Sequence, residues 1–429
     1  MRFPLRSLWF TLLLLASLAA CARPPQPATA PAAAAPAAPQ VQAQAEERPL
    51  EADAYSLYEL LGPETNQFRI LYEVTAIDPG AAVFFNPIRK GSEASDESVR
   101  DRATGQALQF EEVSGEEARA SGLPRADLDT RYIRIHLPRP VPRDGGVRLL
   151  IEKTYKDPKS YRREGADRIV FFRTLGVRRN AVVLPAGYEV VSCNVPSQVL
   201  AEPDGRFKVS LMHTGPEALP VRIEARRTAL PAPAPKPASS PDAGRLAERA
   251  HQDRTIVYFL RDPETHSFDL YHDYTESRPG IDRYLNVVRK GSTASSPSAR
   301  NLDTGETLQV ETVKGDELIA AGLREGEEVE PGSEVVVARF PPPPPGGSVR
   351  IRISETYTDP KSYRVEDGEL VFDRALGRPY NAVVLPAGWA LTATSMPAMV
   401  SETPEGRVRL DFVNPRPDNL GVLIKARKR

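Results

Sequence analysis

The chain has 429 residues, which exceeds one ordinary domain and predicts two or three. Its 56 basic and 57 acidic residues give a net charge of -1, so no overall field attracts nucleic acid or another polyanion. No glycine-rich phosphate loop follows a strand and opens a helix. We therefore expect no nucleic acid, no nucleotide and no cofactor among its ligands.

The first twenty residues predict a signal peptide. Arg2 and Arg6 supply positive charge, and residues 8–18 form an apolar run that is too short to cross a bilayer as a helix. The segment Leu18-Ala19-Ala20-Cys21 follows and resembles the lipobox of bacterial lipoproteins. That resemblance implies that residues 1–20 are removed and that Cys21 is lipidated. A plain secretory signal that is cut near Ala20 is the alternative.

The lipobox resemblance also implies a place in the cell. Ala22 stands where the family's inner-membrane retention signal has Asp, which implies a lipid anchor in the outer membrane, with the protein facing the periplasm or the cell surface. Several acyl chains hold a protein firmly, because one chain alone binds a membrane only marginally. A lipidated Cys21 leaves Cys193 as the other thiol, so we expect no disulfide within the mature chain.

Two proline-rich segments divide the chain. Residues 21–50 are rich in Ala, Pro and Gln without an apolar face, and they predict an extended tether between the lipidated cysteine and the folded part. Residues 229–252 predict a second proline-rich linker, with a short helix over 243–251. Two long folded segments, 51–228 and 253–429, flank this linker.

The two folded segments repeat one sequence pattern. Asp-Pro-Lys-Ser-Tyr-Arg at 157–162 recurs at 359–364, and Asn-Ala-Val-Val-Leu-Pro-Ala-Gly at 180–187 recurs at 381–388. Arg-Lys-Gly-Ser at 89–92 recurs at 289–292. Chance does not produce identities of this length in the same order, so we predict one domain present twice through internal duplication.

Each copy predicts β-structure. Apolar and polar residues alternate over 147–152, 349–354 and 207–211, which is typical of a strand with one buried and one solvated face. Glycine and proline turn signals separate such segments. We predict a mainly β protein of two tandem antiparallel β-sandwich domains. One short helix in each copy, over 115–120 and 315–320, is the exception, because acidic residues open it and a glycine follows it.

The sequence contains no recognisable catalytic or metal-binding motif. Its five histidines lack metal-ligand spacing, and His266 with His272 is better explained as two surface imidazoles than as a metal pair. Cys193 lies in an apolar strand, which is typical of a buried structural thiol. We therefore assign no catalytic residue and no metal ligand.

Two polar loops in each copy form the candidate ligand-binding site. One carries cations beside a glycine whose neighbouring N–H groups can bind an anion, and the other carries an aromatic ring suited to a sugar or a peptide. The competing interpretation is that both loops are turns and that the tyrosine covers the core. The candidate residues are Asn86, Arg89, Lys90, Ser92, Asp157, Lys159, Tyr161 and Arg162, and Asn286, Arg289, Lys290, Ser292, Asp359, Lys361, Tyr363 and Arg364.

Duplication favours a non-catalytic binding or scaffolding module of the cell envelope, because two tethered copies raise the effective concentration of a repeated ligand such as a glycan or an envelope protein. One alternative is an envelope hydrolase that uses carboxylates such as Asp157 and Asp359. Another is an accessory domain protein of an envelope enzyme, since the strand content is similar to that of the sandwich preceding the catalytic domain of some zinc aminopeptidases. No zinc-binding helix motif accompanies that similarity.

Overall fold

The structure is a computed structural model that describes residues 52–213, 215, 217–228, 241–322 and 329–429. The signal peptide, Cys21, the tether and residues 229–240 of the linker lie outside the described residues. The described part is mainly β with several antiparallel sheets, which confirms the predicted fold class. None of its helices has both the length and the apolar character needed to cross a membrane.

Repeat 1, residues 52–228, consists of short strands in which buried apolar residues recur at every second position. Val147, Leu149 and Ile151, for example, are all 0% exposed. The strands are β1 Ala54–Leu60, β2 Gln67–Ala76, β3 Val83–Pro87, β4 Glu93–Asp101, β5 Phe110–Val113, β6 Tyr132–His136, β7 Val147–Lys156, β8 Tyr161–Glu164, β9 Arg168–Leu175, β10 Arg179–Val183, β11 Tyr188–Cys193, β12 Gln198–Ala201, β13 Phe207–Met212 and β14 Leu219–Arg227.

One large sheet of repeat 1 packs against two smaller sheets. The large sheet has the order β12-β13-β10-β1-β2-β7-β4, and the smaller sheets are β11-β14-β9-β8 and β3-β6-β5. The described strand pairs are antiparallel, except that β1 and β10 are parallel. Phe68 on the large sheet, Phe171 on the four-stranded sheet and Ile135 on the three-stranded sheet belong to one buried core. The arrangement is therefore a sandwich.

Repeat 2, residues 253–429, has the same strand order, with the short strand β19 added at one edge of the large sheet. Its sheets are β19-β18-β22-β16-β15-β25-β28-β27, β23-β24-β29-β26 and β17-β21-β20, and β15 pairs with β25 in parallel. The strands are β15 Thr255–Leu260, β16 Ser267–Glu276, β17 Arg283–Val287, β18 Thr293–Asn301, β19 Thr307–Leu308, β20 Val310–Lys314, β21 Glu334–Arg339, β22 Val349–Thr358, β23 Tyr363–Glu366, β24 Glu369–Leu376, β25 Tyr380–Val384, β26 Trp389–Thr394, β27 Met399–Glu402, β28 Val408–Val413 and β29 Leu420–Lys428.

Three short α-helices interrupt the described β-structure. Helix α1, Gly115–Ala120, begins at a capping box in which Ser114 and Glu117 bond each other's backbone N–H groups. Its counterpart in repeat 2 is α3, Gly315–Ala320. Between the repeats lies α2, Pro241–Gln252, over the stretch for which the sequence predicts a helix.

The polar faces of the large sheets differ from the sequence prediction. The alternation in β7 and β22 predicts that Arg148, Arg350 and Arg352 point into solvent. Instead, these side chains are buried, with residue exposures of 6%, 6% and 4%. The physical reason is that the two repeats pack on each other through these faces, so the solvated face of an isolated sandwich becomes an interface.

Candidate functional site

The two predicted loops of repeat 1 do meet. Ser92 Oγ in the first loop donates a hydrogen bond of 3.1 Å to Asp157 Oδ2 in the second. Asp157 also accepts bonds from the backbone N–H groups of Lys159 and Ser160, as expected for the first residue of an Asp-Pro turn. Burial alone would raise the pKa of Asp157, but the bonds from Ser160 and Ser92 outweigh it, and the pKa is lowered.

The second copy builds the same turn. Asp359 accepts a bond of 3.0 Å from the backbone N–H of Ser362 and a bond of 2.7 Å from Arg374 Nη1. Its pKa is also lowered, because the bonds from Ser362 and the charge of Arg374 outweigh the effect of burial. Ser292 is half-buried, like its counterpart Ser92. Both aspartates are therefore structural carboxylates that stay ionised at neutral pH.

The aromatic and amide members of the predicted site face the protein interior. Tyr161 and Tyr363 are 0% exposed, and their hydroxyl groups donate to the carbonyl oxygens of Leu61 and Arg261. Asn86 is buried and accepts a bond from Lys153, whereas Asn286 donates to Glu355. These residues pack the core instead of offering a ring or an amide to a ligand in solvent.

The cations are the exposed members of the predicted site, and several of them have partners. Arg89 donates to the Thr174 carbonyl and Arg289 to the Ala375 carbonyl. Lys90 pairs with Asp127 at 3.1 Å. Arg162 and Arg364 pair with glutamates two residues along their own strands, Glu164 and Glu366. Lys159, Lys290 and Lys361 are exposed as well. The loops thus present a cationic rim above a buried turn.

A larger feature that the sequence did not reveal is the interface between the repeats. The Gly146 N–H donates to the Leu302 carbonyl at 2.9 Å, and the Ser348 N–H donates to the Arg102 carbonyl at 3.0 Å. Gly146 and Ser348 occupy equivalent positions in the two copies, and so do Arg102 and Leu302. The contacts are therefore reciprocal, as in the isologous interface of a twofold-symmetric dimer.

Glycines make this close backbone approach possible. A Cβ atom on Gly145 would lie 2.8 Å from the Gly305 nitrogen, and one on Gly347 would lie 2.3 Å from the Ala103 carbonyl oxygen. Both distances are shorter than heavy atoms tolerate without a shift of the backbone. The Gly-Gly turn ahead of β7 and its counterpart ahead of β22 are the sequence signal that could have indicated this contact.

Buried ion pairs cross the same interface. Arg148 of repeat 1 holds Asp303 of repeat 2 with two hydrogen bonds of 2.5 and 2.8 Å. Its counterpart Arg350 bonds Asp53 of repeat 1 at 2.8 Å. Burial opposes the charge of Arg148, but Asp303 more than compensates, so the pKa of the guanidinium is raised. Each repeat thus contributes an arginine that is neutralised by the other repeat.

Helix α2 covers the outer face of the large sheet of repeat 1, which is the face turned away from the sandwich core. Glu248 pairs with Lys208 at 2.7 Å, and the Arg249 guanidinium carbon lies 3.7 Å from the centre of the Tyr55 ring. Arg249 also pairs with Glu73 at 3.3 Å. Gln252 of the helix donates to a carbonyl of repeat 2, so α2 lies between the two repeats.

The equivalent outer face of repeat 2 has no helix over it among the described residues and lines a cavity, the inter-repeat cleft. Its apolar residues are nevertheless mostly buried, with Tyr271 5% and Val384 1% exposed. The cleft has a volume of about 560 Å³ and adjoins a second cavity of about 310 Å³. Its apolar floor carries Phe259, Tyr271 and Val384. The opposite wall comes from repeat 1 and consists of Gly176, Val177, Arg178, His213 and Gly215. Both repeats are needed to enclose this space.

Paired charges line the cleft. Arg178 of repeat 1 and Arg409 of repeat 2 both bond Asp411, at 2.7 and 2.9 Å. Glu402 and Glu405 stand at the open side and are exposed. Within the described ranges, no three His, Cys, Asp or Glu side chains come close enough together to hold a metal ion. The arrangement combines an apolar surface with fixed polar groups, as ligand sites do.

No protein-family model and no curated protein matches the chain. An aminopeptidase N family protein from Idiomarina loihiensis is similar in structure over 40% of this chain, with 12% identity and a TM-score of 0.25, and the chain spans 29% of that protein. A candidate protease from Parabacteroides distasonis is 10% identical over 88% of this chain and 93% of its own length, with a TM-score of 0.24. A collagen adhesin from S. aureus is 8% identical over 76% of this chain and 84% of its own length, with a TM-score of 0.14.

Proposed function

We propose that the protein is a lipid-anchored, non-catalytic binding module of the cell envelope, and that a peptide segment of a partner protein binds in the inter-repeat cleft. The observation that carries this proposal is the difference between the two outer faces. Helix α2 covers the outer face of repeat 1, whereas the equivalent face of repeat 2 lines an open cavity of about 560 Å³. The two faces share their strand order, and the cavity on repeat 2 leaves room for a peptide segment.

The chemistry of the cleft indicates what the segment carries. Lys208, which Glu248 of α2 contacts, has Arg409 as its counterpart on the cleft floor. Glu59 of repeat 1 is replaced by Phe259 in repeat 2. The cleft therefore favours a segment with apolar side chains against Phe259 and Tyr271.

An acylated Cys21 would hold this binding module at the outer membrane, and residues 22–50 would give it reach. Radiolabelled palmitate tests the anchor: the wild-type protein is expected to incorporate label, and Cys21→Ala is expected to incorporate none. Equal labelling of both proteins, or no labelling of either, would remove the anchor from the proposal and leave the cleft unaffected.

The geometry disfavours a hydrolase built on Asp157 and Asp359. A general acid needs a raised pKa and an opening to substrate, and the pKa of both carboxyl groups is lowered while their oxygens are occupied within turns.

Envelope co-purification with matched variants tests the binding proposal. Phe259→Glu introduces on the cleft floor the glutamate that repeat 1 carries at the equivalent position, Glu59. We expect partner recovery to fall about tenfold, which is the loss expected for one central apolar contact. Phe172→Glu is the control, since Phe172 is 44% exposed on the four-stranded sheet of repeat 1. Equal recovery by both variants, or recovery of a glycan in place of a polypeptide, would overturn the proposed ligand.

A further inference from the structure

A third cavity lies in repeat 2, where its large sheet meets the two smaller sheets, and it opens to solvent beside the exposed residues Arg289 and Asn419. Its volume is about 210 Å³. Apolar and aromatic side chains, among them Ile256, Leu270 and Tyr357, form much of the wall, and Glu355 and His272 add polar atoms. It is separate from the inter-repeat cleft, because Glu355 and Tyr357 belong to the inner face of β22.

Repeat 1 fills the equivalent space with its own cation. Lys153 is buried, its Nζ donates to Asn86 Oδ1 at 2.5 Å, and it lies 5.1 Å from the centre of the Tyr155 ring. An ammonium group there is held by one amide oxygen and one aromatic face. Strand register and sequence place Glu355 at the position of Lys153 and Tyr357 at that of Tyr155.

Repeat 2 therefore keeps the amide and the ring but replaces the cation with a carboxylate. Glu355 is 0% exposed, and its Oε2 accepts a bond of 2.9 Å from Asn286. Its Oε1 is buried and makes no hydrogen bond with any described residue. Buried polar atoms without partners are costly, so this oxygen is available to a ligand.

His272 adds a second polar atom to the wall. The sequence predicts a surface imidazole here, and that prediction is wrong: His272 is 1% exposed, because it lies on the same inner face of β16 as Leu270. Its Nε2 has no hydrogen-bond partner among the described residues. Two side chains of the cavity wall thus carry buried polar atoms that have no hydrogen-bond partner among the described residues.

We propose that this cavity binds a small primary ammonium ligand, whose charged nitrogen donates to Glu355 Oε1 and lies beside the Tyr357 ring, as the Lys153 ammonium does in repeat 1. The ligand's short alkyl part packs against Ile256 and Leu270. A free alkylamine and the end of a lysine side chain share this chemistry.

The charged groups around Glu355 are compatible with a cation. Burial raises the pKa of its carboxyl group to about 7, and the negative charge of Glu334 contributes to the rise. Arg374 pairs with Asp359, whereas Arg289 and Arg378 donate to the Ala375 carbonyl and the Tyr284 hydroxyl and keep their positive charge. The Glu355 carboxylate is therefore the group that balances an ammonium ligand in this cavity. Burial and the charges of Arg378 and Arg254 lower the pKa of His272, so this ring is neutral.

Calorimetric titration of the full chain with propylammonium chloride tests the proposal, with propionate and propanol as ligands of similar size. Propylammonium alone is expected to bind at pH 8. Its affinity should fall about tenfold at pH 6, because a carboxyl group with a pKa of about 7 is then mostly protonated. Proton release on binding in this range should accompany the change.

Matched variants locate the site. Glu355→Gln should weaken propylammonium binding at least tenfold, Glu355→Lys should abolish it by supplying the repeat 1 cation, and Lys153→Gln in repeat 1 should leave it unchanged. Absence of binding at pH 8, propanol binding as well as propylammonium, or full affinity in Glu355→Gln would each overturn the proposal. Should the variants not fold, the pH dependence and ligand selectivity of the wild-type protein decide the matter.

Discussion

Removing the carboxylate of Asp303 should weaken the interface between the two repeats and lower the free energy of unfolding. Arg148 makes four hydrogen bonds in this interface: two go to Asp303, and two go to the hydroxyl and carbonyl of Ser348. The side chains of Arg148 and Asp303 are 7% and 5% exposed. In Asp303→Ala the guanidinium keeps its bonds to Ser348 but loses its counter-charge in a place that water does not reach.

The structure gives the size of this effect. Breaking a buried pair from one side costs about 3–5 kcal/mol, because the remaining charge stays desolvated. The exposed pair of Arg162 and Glu164, with side chains 37% and 41% exposed, is a matched control for which about 0–1 kcal/mol is expected. Replacing both partners of the buried pair, as Arg148→Met with Asp303→Leu, should recover most of the loss.

Urea unfolding of the full chain, followed by circular dichroism, measures these differences. Asp303→Ala should lower the free energy of unfolding by about 3–5 kcal/mol, and Glu164→Ala should lower it by less than about 1 kcal/mol. The reasoning is refuted if Asp303→Ala behaves like Glu164→Ala, because the ion pair would then contribute nothing to holding the repeats together. A second transition in Asp303→Ala would show that the repeats unfold separately.

Further variants address the buried titratable groups and the loops. Burial raises the pKa of Glu355 to about 7, so the folded protein keeps this proton to a higher pH than the unfolded chain does, and wild-type stability falls as pH rises from 4.5 to 7. In urea unfolding, Glu355→Gln should have the wild-type free energy of unfolding near pH 4.5 and a value roughly 3 kcal/mol higher than wild type at pH 8. Burial and Arg173 lower the pKa of Lys153 to about 8, so wild-type stability should rise by roughly 3 kcal/mol between pH 8 and 10.5, and Lys153→Met should lose that rise. A flat difference curve in either series would contradict the assigned shift. Alanine at all four loop cations, Arg89, Lys90, Arg289 and Lys290, should lower the free energy of unfolding by less than about 1 kcal/mol, because these side chains are exposed. Partner recovery should stay unchanged, since the proposed segment binds in the inter-repeat cleft, and a fall in recovery would contradict that location.

Much of the fold could be predicted from the sequence, because alternation is a local signal. Val147, Leu149 and Ile151 lie on one face of β7 and are fully buried, as their spacing predicts. The same spacing places Arg148 on the other face and predicts solvent there. That inference is wrong because it treats each repeat as isolated, and no local pattern indicates which outer face another repeat covers.

The site was harder to predict, for two reasons. The turn motifs predict that Asp157 and Tyr161 contact a ligand, but both side chains are buried and bonded to other parts of the protein. The inter-repeat cleft, in contrast, is lined by residues such as Phe259 and Val177, which belong to no sequence motif. They form a site because the two repeats pack against each other.

One signal in the sequence points to the third cavity, in repeat 2. Lys153 and Glu355 both stand at positions that alternation assigns to the core, in line with Ile151 and Ile353. A charged residue at a core position requires a partner, and a change of sign between two copies of one domain indicates that the partner differs. The exchange of Lys153 for Glu355 between the repeats is therefore a sequence signal that the surroundings of this position differ in the two repeats.

Site-specific photo-crosslinking in intact envelopes tests the central claim most directly. A benzophenone amino acid in place of Glu402, at the open side of the cleft, should capture one defined polypeptide, and Phe259→Glu in the same chain should abolish that adduct. The same probe in place of Phe172, on the exposed surface of repeat 1, should not capture it. An adduct pattern that is equal at both positions, or no polypeptide adduct from the cleft, would contradict the account.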